Sequence, residues 1–249
     1  KDTGRGKNKM FQISLRFRLE KPELPKDTDR LIVSFFKASI QQYRPELFQK
    51  LYNKDRSVIK TYTFSSYLPG AVFEKDVIKL TKPEFTVFFS DADEGELLHF
   101  YNAFKRMKWI AYPMSQNSMT LELLRIQKRN VITDREVVIK MQSSLIVREH
   151  DPNGNKDTYF SVGQPGFEEA FVRNTEVMLD KLGVDMSTDG FSIAPIKAKK
   201  VVVDVFSRKT DASVGVFKLC GDPELLNFLY LTGLGVRRGA GHGKFEIVC

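Results

Sequence analysis

Hydrophobic and polar residues alternate along the first part of the chain, which is the pattern of a β-strand with one buried face. The apolar side of this strand carries Phe11, Ile13, Leu15, Phe17 and Leu19. Its polar side carries Arg16 and Arg18. After Thr28 the apolar residues recur every three or four positions until Pro45, and this spacing predicts a helix. A short second helix is predicted over 46–52.

The same patterns divide the rest of the chain into short strands, three further helices and one loop. Strands are predicted at 60–67, 71–80, 84–90, 120–128, 136–142, 145–149, 191–196, 200–206, 213–219 and 245–248. Helices are predicted at 93–108, 166–182 and 222–231, and a loop at 150–164. Hairpin-like turns join these strands as often as helices do, so the class is α+β. Two β-α-β-β-α-β units in tandem fit the order.

Composition and charge narrow the class of protein. The 249 residues are 42% hydrophobic, enough for two domains, and we expect a flexible tail or artificial extension at 1–9, a first domain at 10–142 and a second at 143–249. A net charge of +8 favours a polyanionic partner. The two cysteines form neither a disulfide framework nor a zinc set. With no apolar span and no signal peptide, we expect a cytoplasmic protein that is not bound to a membrane.

A glycine-rich motif lies near the C-terminus. Its two Gly-x-Gly pairs and the basic residues beside them are, in chain order, Gly233, Gly235, Arg237, Arg238, Gly241, His242, Gly243 and Lys244. Glycines let a backbone approach an anionic ligand closely, and the cations supply charge, so the motif predicts a grip on phosphates. The alternative is a tight connection between a helix and an edge strand. Dinucleotide and Walker loops fit badly, because both need a glycine where Arg238 stands.

The spacing of these glycines, followed by a short hydrophobic strand, resembles the signature of the RAMP superfamily, the RNA-binding proteins of CRISPR systems. Within it the chain is most similar to the endoribonuclease that cuts the repeats of the precursor CRISPR transcript. Residues 60–65 (KTYTFS) are similar to that family's K-x-F/Y-T-F/Y-S segment, and residues 145–148 (LIVR) to its P-I-V-V-R strand. The resemblance covers about 10–248.

The resemblance implies tandem ferredoxin-like domains and cleavage without metal or cofactor, by attack of a 2′-hydroxyl that leaves a cyclic phosphate. The family usually has a histidine as base upstream of the K-x-F/Y-T-F/Y-S segment, and here that place falls on or close to Tyr52. Lys60 would then stabilise the transition-state charge, while Tyr52 or Tyr43 orients or exchanges a proton with the hydroxyl. Alternatively, both tyrosines are core residues and Lys60 is a surface lysine.

Several basic residues are candidates for RNA contacts. Arg237, Arg238 and Lys244 would pair with phosphates beside the four glycines, and His242 would bind RNA or approach the scissile phosphate. The further candidates are Arg148, at the end of its strand, and Arg16 and Arg18, which would line a basic cleft. The expected partners are CRISPR repeat RNA and other CRISPR effector subunits, and the protein would be a monomer or a homodimer.

Two other functions remain open at the level of sequence. The missing histidine leaves room for a non-catalytic repeat-RNA-binding relative or scaffold subunit. A metabolite-binding protein with tandem ferredoxin-like domains would share the fold without binding RNA.

Overall fold

The computed structural model describes residues 9–53, 55, 58–151, 153–205 and 208–248. The predicted tail, apart from residue 9, lies outside these ranges, as do the last residue of the predicted strand 200–206 and the terminal Cys249. Among the described helices, none is both long and apolar enough to cross a lipid bilayer.

The first half of the chain forms a five-stranded sheet, a small sheet and three helices. In chain order these elements are β1 (Met10–Leu19), β2 (Glu23–Pro25), α1 (Thr28–Tyr43), α2 (Pro45–Tyr52), β3 (Tyr62–Tyr67), β4 (Val72–Phe73), β5 (Val77–Lys79), β6 (Glu84–Asp91), α3 (Glu94–Arg106), β7 (Ala111–Met114) and β8 (Asn117–Arg129). The first sheet has the order β3-β6-β1-β8-β7, and the small sheet has the order β2-β5-β4.

The second half forms a four-stranded sheet, a hairpin and two helices. The elements are β9 (Glu136–Met141), β10 (Val147–Asp151), β11 (Lys156–Phe160), α4 (Phe167–Leu182), β12 (Ser192–Val205), β13 (Arg208–Cys220), α5 (Pro223–Thr232), a 3₁₀ turn (Arg238–Ala240) and β14 (Phe245–Ile247). The second sheet has the order β12-β13-β9-β14, and β10 pairs with β11 in a sheet of two strands.

Both sheets have the strand order of a ferredoxin-like β-α-β-β-α-β unit. In each, the first strand is central: β1 lies between β6 and β8, and β9 lies between β13 and β14, all antiparallel. The predicted α+β class with tandem ferredoxin-like domains is therefore confirmed.

The strand β9 lies in the second sheet, whereas the expected boundary at 142/143 assigned it to the first domain. It pairs with β13 and β14 from residue 136 onward. The chain therefore passes from one sheet to the other at 130–135. The predicted boundary is wrong because a strand's own pattern does not say which sheet it joins.

Three segments differ from their predicted form. The predicted strand 71–80 is divided into β4 and β5 by a turn, which is closed by the Glu74 N–H donating to the Val77 carbonyl at 2.9 Å. The predicted loop 150–164 contains the β10–β11 hairpin. The two strands predicted at 191–196 and 200–206 are one strand, β12, with a register shift between Pro195 and Lys197. Proline has no N–H to donate to a ladder, and a bulge accommodates it.

Helix starts follow the capping residues. The Asp93 carboxylate accepts the Glu96 N–H at 2.9 Å before α3, and Asp222 does the same for the Glu224 N–H, at 2.9 Å, before α5. Pro223 occupies the first turn of α5, as its sequence predicted.

The core of the first domain contains a cluster of aromatic side chains between the first sheet and helices α1 and α3. Phe36 of α1 is fully buried at its centre. Its ring is in contact with the rings of Tyr62, Phe64, Phe89, Phe100 and Phe104, at centroid distances of 5.1 to 6.4 Å. The other face of the first sheet, which we call the outer face, points away from these helices.

Phe36→Ala is expected to lower the free energy of unfolding by about 3 to 5 kcal/mol, because it leaves a cavity among close-packed rings. Leu98→Ala, at a position of α3 that is 56% exposed, is the control and should change it by less than about 0.5 kcal/mol. Urea denaturation of the three proteins measures both values. Equal losses in the two variants would show that the core is not organised around Phe36.

Candidate nucleic-acid interface

The glycine loop, which we define as residues 233–244, wraps around the outer edge of β3, the strand at one end of the first sheet. On the outer face of the first sheet, the Thr63 hydroxyl donates to the His242 carbonyl at 3.0 Å. On the helix side, Gly241 lies against the ring of Phe64. At the start of β3, Gly239 lies against the stem of Lys60. The loop therefore covers an edge strand of one domain with the chain of the other.

Three hydrogen bonds at Thr63 and Ser90 join the two domains at this contact. Besides the bond from Thr63, the Ser90 hydroxyl donates to the Leu231 carbonyl at 2.9 Å, and the Lys244 Nζ donates to the Ser90 hydroxyl at 2.8 Å. Thr63 and Ser90 belong to the first sheet, while Leu231 and Lys244 belong to the second domain. The loop thus fixes one sheet relative to the other.

The motif glycines are required because side chains do not fit. A Cβ built at Gly235 would lie 2.2 Å from the Ile146 carbonyl oxygen, and one at Gly243 would lie 2.0 Å from the Leu234 carbonyl oxygen. A Cβ at Gly233 would meet Thr63 at 3.0 Å. All four motif glycines also have positive φ.

Many of the loop's main-chain amides are already used within the protein. The N–H groups of Leu234, Val236 and Gly243 donate to the carbonyls of Gly243, Ile146 and Ser144 at 2.9 Å each. The N–H groups of Gly233 and Gly241 donate to Leu229 and Arg238. These amides cannot also donate to a phosphate. The predicted grip on phosphates therefore does not use these amides.

Three of the loop's basic side chains are buried. Arg238, His242 and Lys244 are 6%, 5% and 1% exposed. Arg238 donates to the Met178 sulfur, and Ser144 shares a hydrogen bond with His242 Nδ1 at 2.8 Å. Direct pairing of these side chains with RNA phosphates, as the sequence suggested, is therefore wrong for this arrangement of the domains.

Burial disfavours the charged forms of all three side chains. It lowers the pKa of Arg238 to about 10. Burial, together with Arg237, lowers the pKa of His242 to about 4. Burial, together with Arg129, lowers the pKa of Lys244 to about 7. Arg237, by contrast, is exposed, in a left-handed backbone conformation with φ of 62°.

A second group of residues gathers at the end of β3 where the loop passes Lys60. The Nζ atoms of Lys37 and Lys60 lie 5.1 and 5.4 Å from the centre of the Tyr52 ring. Lys37 comes from α1, Tyr52 from the end of α2, and Lys60 from the segment before β3. The structure thus brings together Tyr52 and Lys60, as the sequence predicted, and adds Lys37.

Lys37 could not be singled out from the sequence, because it looks like any lysine on the exposed side of an amphipathic helix. Its only distinguishing feature is its place in space beside Tyr52. Tyr43, the other predicted catalytic residue, has its ring contacts with His99 and Arg106 of α3. The structure does not place it in the group around Tyr52.

The hydroxyl of Tyr52 shares a hydrogen bond of 2.7 Å with the hydroxyl of Tyr62. Burial raises the pKa of Tyr52 well above its ordinary value, and the nearby acids Asp91 and Glu96 act in the same direction. Tyr52 stays protonated at neutral pH and does not act as a base.

Lys60 is perturbed in the opposite direction. Burial and the charge of Lys37 lower the pKa of Lys60, and its Nζ donates to the Val58 carbonyl at 2.9 Å. Two amines beside one ring repel each other, so an anion bound between them would be favoured.

The three histidines lie elsewhere. His99 is hydrogen bonded to Arg44, His150 lies 2.8 Å from Asp157, and His242 is buried in the glycine loop. Arg148 is also bound to Asp157, at 3.0 Å. No imidazole is therefore seen beside Lys37, Tyr52 and Lys60 in the part of the chain that the structure describes. In that same part, no group of three or more His, Cys, Asp or Glu side chains could hold a metal ion.

The outer face of the first sheet presents a mixed aromatic and basic surface beyond the glycine loop. Two cross-strand rows lie there: Tyr67, Thr86, Arg16 and Leu123 in one, and Ser65, Phe88, Ser14 and Arg125 in the other. Tyr67, Arg16 and Arg125 are exposed, and Phe88 is half-buried. Arg18, on the same face, pairs with Glu122 at 3.0 Å and remains 69% exposed.

Lys244→Met tests the buried amine. Lys244 is charged in the unfolded chain up to its ordinary pKa of 10.5 but is neutral in the folded protein above about 7. The unfolded chain therefore binds more protons in this window, so the free energy of unfolding should rise with pH, by at most about 1.4 kcal/mol per pH unit from this group. In Lys244→Met this rise should be absent. Urea denaturation at a series of pH values above neutrality measures the slope.

Lys105→Met, at an exposed position of α3, is the matched control and should keep the slope of the unmodified protein. If the slope is unchanged in Lys244→Met, the amine of Lys244 is not buried in the unmodified protein in solution.

Known proteins resemble this chain in sequence over part of its length and in fold over the whole of it. Residues 126–247 match the family model described as CRISPR associated protein Cas6, C-terminal. No curated protein sequence matches the chain significantly.

Solved structures resemble the whole chain. One, titled "Characterization of a Cas6-related gene from Pyrococcus furiosus", has a TM-score of 0.83 at 16% identity and covers 97% of this chain and 99% of its own. Another, "An RAMP protein binding different RNA substrates", has a TM-score of 0.81 at 19% identity and covers 96% of this chain and all of its own. A Cas6 product complex has a TM-score of 0.69 at 16% identity, covering 96% and 100%.

At these identities the structural likeness shows the fold. The family model relates the second domain to the C-terminal part of Cas6 proteins, and the glycine loop lies inside the matched range. The whole chain therefore has the fold of these Cas6 and RAMP structures, and its residues 126–247 match the Cas6 C-terminal family model.

Proposed function

We propose that the protein binds CRISPR repeat RNA along a surface that runs from the outer face of the first sheet, past Arg237, to Lys37 and Lys60. The observation that carries this proposal is the pair of amines beside Tyr52. Both lie at the same ring, and the charge that perturbs Lys60 is that of Lys37 rather than that of a carboxylate. A phosphate between them would relieve this repulsion.

The glycine loop contributes to this surface indirectly. It covers the edge of β3, which separates the outer face from the Lys37–Lys60 site, so a strand of RNA that reaches both must cross it. Arg237 is exposed on this loop and is the natural contact there. Arg16, Arg18 and Arg125 would continue the path on the sheet, where exposed cations and aromatic rings suit a single strand. Arg148, which is paired with Asp157, lies outside this path.

Phosphate binding at this site should be linked to protonation. Burial and Lys37 lower the pKa of Lys60, so part of its charge is lost at a lower pH than for an ordinary lysine. RNA binds the charged form, so its affinity should fall as the pH rises through the lowered pKa.

The pKa of Lys60 also favours a second candidate function, slow metal-independent cleavage of the repeat. A lysine whose pKa is lowered by burial and by a second amine is neutral more often than an ordinary lysine, and its neutral form can accept the proton of a 2′-hydroxyl. Lys37 would stabilise the charge of the crowded phosphorane. The 2′-oxygen would attack the adjacent phosphorus, the bond from that phosphorus to the 5′-oxygen would break, and the leaving 5′-oxygen would take a proton from water. The products would be one strand that ends in a 2′,3′-cyclic phosphate and one that begins with a 5′-hydroxyl. Tyr52 would position the two amines through its ring.

Labelled repeat RNA in EDTA tests both functions. Lys37→Ala and Lys60→Ala should each weaken binding and lower the slope of log affinity against log salt by about 0.7 to 1, because each removes one phosphate contact. Tyr52→Phe should bind like the unmodified protein, since the ring between the amines is kept. Lys105→Ala, on an exposed turn of α3, is the matched control and should change neither quantity.

The same samples decide between binding and cleavage. RNA that is retained uncut supports a binding protein without nuclease activity. Products with a cyclic phosphate that disappear in Lys60→Ala support the nuclease. Unchanged affinity and salt slope in both lysine variants would overturn the proposed site, and no preference for any RNA would favour a metabolite-binding protein.

A further inference from the structure

An open pocket of about 320 Å³ lies at the far end of the first sheet, beside Tyr67. Its lining includes Tyr67, Pro69, Thr81, Lys82 and Glu84. Tyr67 is the most conspicuous of these, because 63% of its surface is exposed at the end of a strand whose other aromatic residues, Tyr62 and Phe64, are fully buried. An exposed aromatic ring at the side of a pocket is a natural stacking surface.

One wall of the pocket is held rigidly. The turn at Pro69 and Gly70 is joined to Thr81, whose N–H and hydroxyl both donate to the Pro69 carbonyl at 3.1 Å. Gly70 has φ of 60°, and a Cβ there would lie 2.2 Å from the Thr81 side chain. The wall therefore keeps its position beside Tyr67 before any ligand arrives.

The pocket is continuous with the surface that we propose for RNA. Tyr67 and Arg16 belong to one cross-strand row, with Thr86 between them. Glu84 pairs with Arg18 in the next row of the same face. An RNA strand whose phosphates contact Arg16 and Arg18 would therefore have its bases within reach of the pocket.

We infer that this pocket holds one unpaired nucleobase of the bound RNA, stacked on Tyr67 and selected by Glu84. This inference rests on the proposed function, because it takes the RNA strand to lie on the outer face of the first sheet. It adds a position at which the protein reads the identity of a base.

The chemistry of Glu84 sets the selection. An ionised carboxylate only accepts hydrogen bonds, so it pairs with the exocyclic amino group that cytosine, adenine and guanine carry. Uracil has no amino group, and its one ring N–H lies between two carbonyl oxygens, which a carboxylate repels. Stacking on Tyr67 is available to every base, since each has a π-face. The pocket should therefore favour cytosine and adenine over uracil.

Fluorescence anisotropy with short labelled oligoribonucleotides of cytidine, adenosine and uridine tests the inference. Tyr67→Ala should weaken binding of all three by between about fivefold and about 150-fold, the range expected for the loss of one stacked base. Tyr67→Phe should restore binding, because it keeps the ring. Phe73→Ala is the matched control: Phe73 is 71% exposed in the neighbouring small sheet and does not line the pocket.

Glu84→Gln should reduce or reverse the preference against uridine, because an amide can donate to a carbonyl oxygen. Glu168→Gln, which removes one charge from an exposed position of α4, should leave the preference unchanged. Equal affinities of the Tyr67→Ala and Phe73→Ala proteins, or an unchanged preference in Glu84→Gln, would overturn the inference.

Failure of the proposed function and failure of the base pocket give different results. If the protein binds none of the oligoribonucleotides, or if Lys37→Ala and Lys60→Ala bind them as well as the unmodified protein, the RNA surface itself is wrong. If the lysine variants lose affinity while the Tyr67 variants do not, only the base pocket is wrong.

Discussion

The contact between the glycine loop and the edge of β3 is the constraint on which the arrangement of this protein depends. The loop passes from the outer face of the first sheet, at Thr63, to the helix side, at Phe64, and its glycines leave no space for side chains. Because it belongs to the second domain and grips a strand of the first, it fixes the two sheets relative to each other. It also covers an edge strand that would otherwise offer unpaired backbone groups.

This constraint explains why the basic residues near the C-terminus are divided between two roles. Arg238, His242 and Lys244 are buried within the domain contact, where loss of charge accompanies burial. Cations that remain available for a polyanion lie on either side of the loop: Lys37 and Lys60 beside Tyr52, and the arginines of the outer face. In the proposed function, the loop therefore organises the RNA surface by holding its parts in place.

Much of the fold could be predicted from the sequence, because strand alternation and helical spacing report burial directly. The capping residues before α5 and the glycine spacing were equally informative. The sequence could not say what the glycine loop packs against: close approach to a phosphate and close approach to a neighbouring strand require the same glycines. For the same reason it did not separate buried Lys244 from exposed Arg237, and Lys37 became visible only through its distance from Tyr52.

In the proposed function, the glycine loop holds the two domains together and is not the primary grip on RNA. Hydrogen exchange of the backbone amides, with and without repeat RNA, is the most direct test of this role. The amides of Leu234, Val236 and Gly243 should exchange slowly in the free protein and change little when RNA is added, while protection appears around Lys60 and in β3 and β6 near Tyr67 and Thr86. Fast exchange of the loop in the free protein, followed by strong protection on addition of RNA, would contradict it and would instead make the loop the primary grip on the RNA.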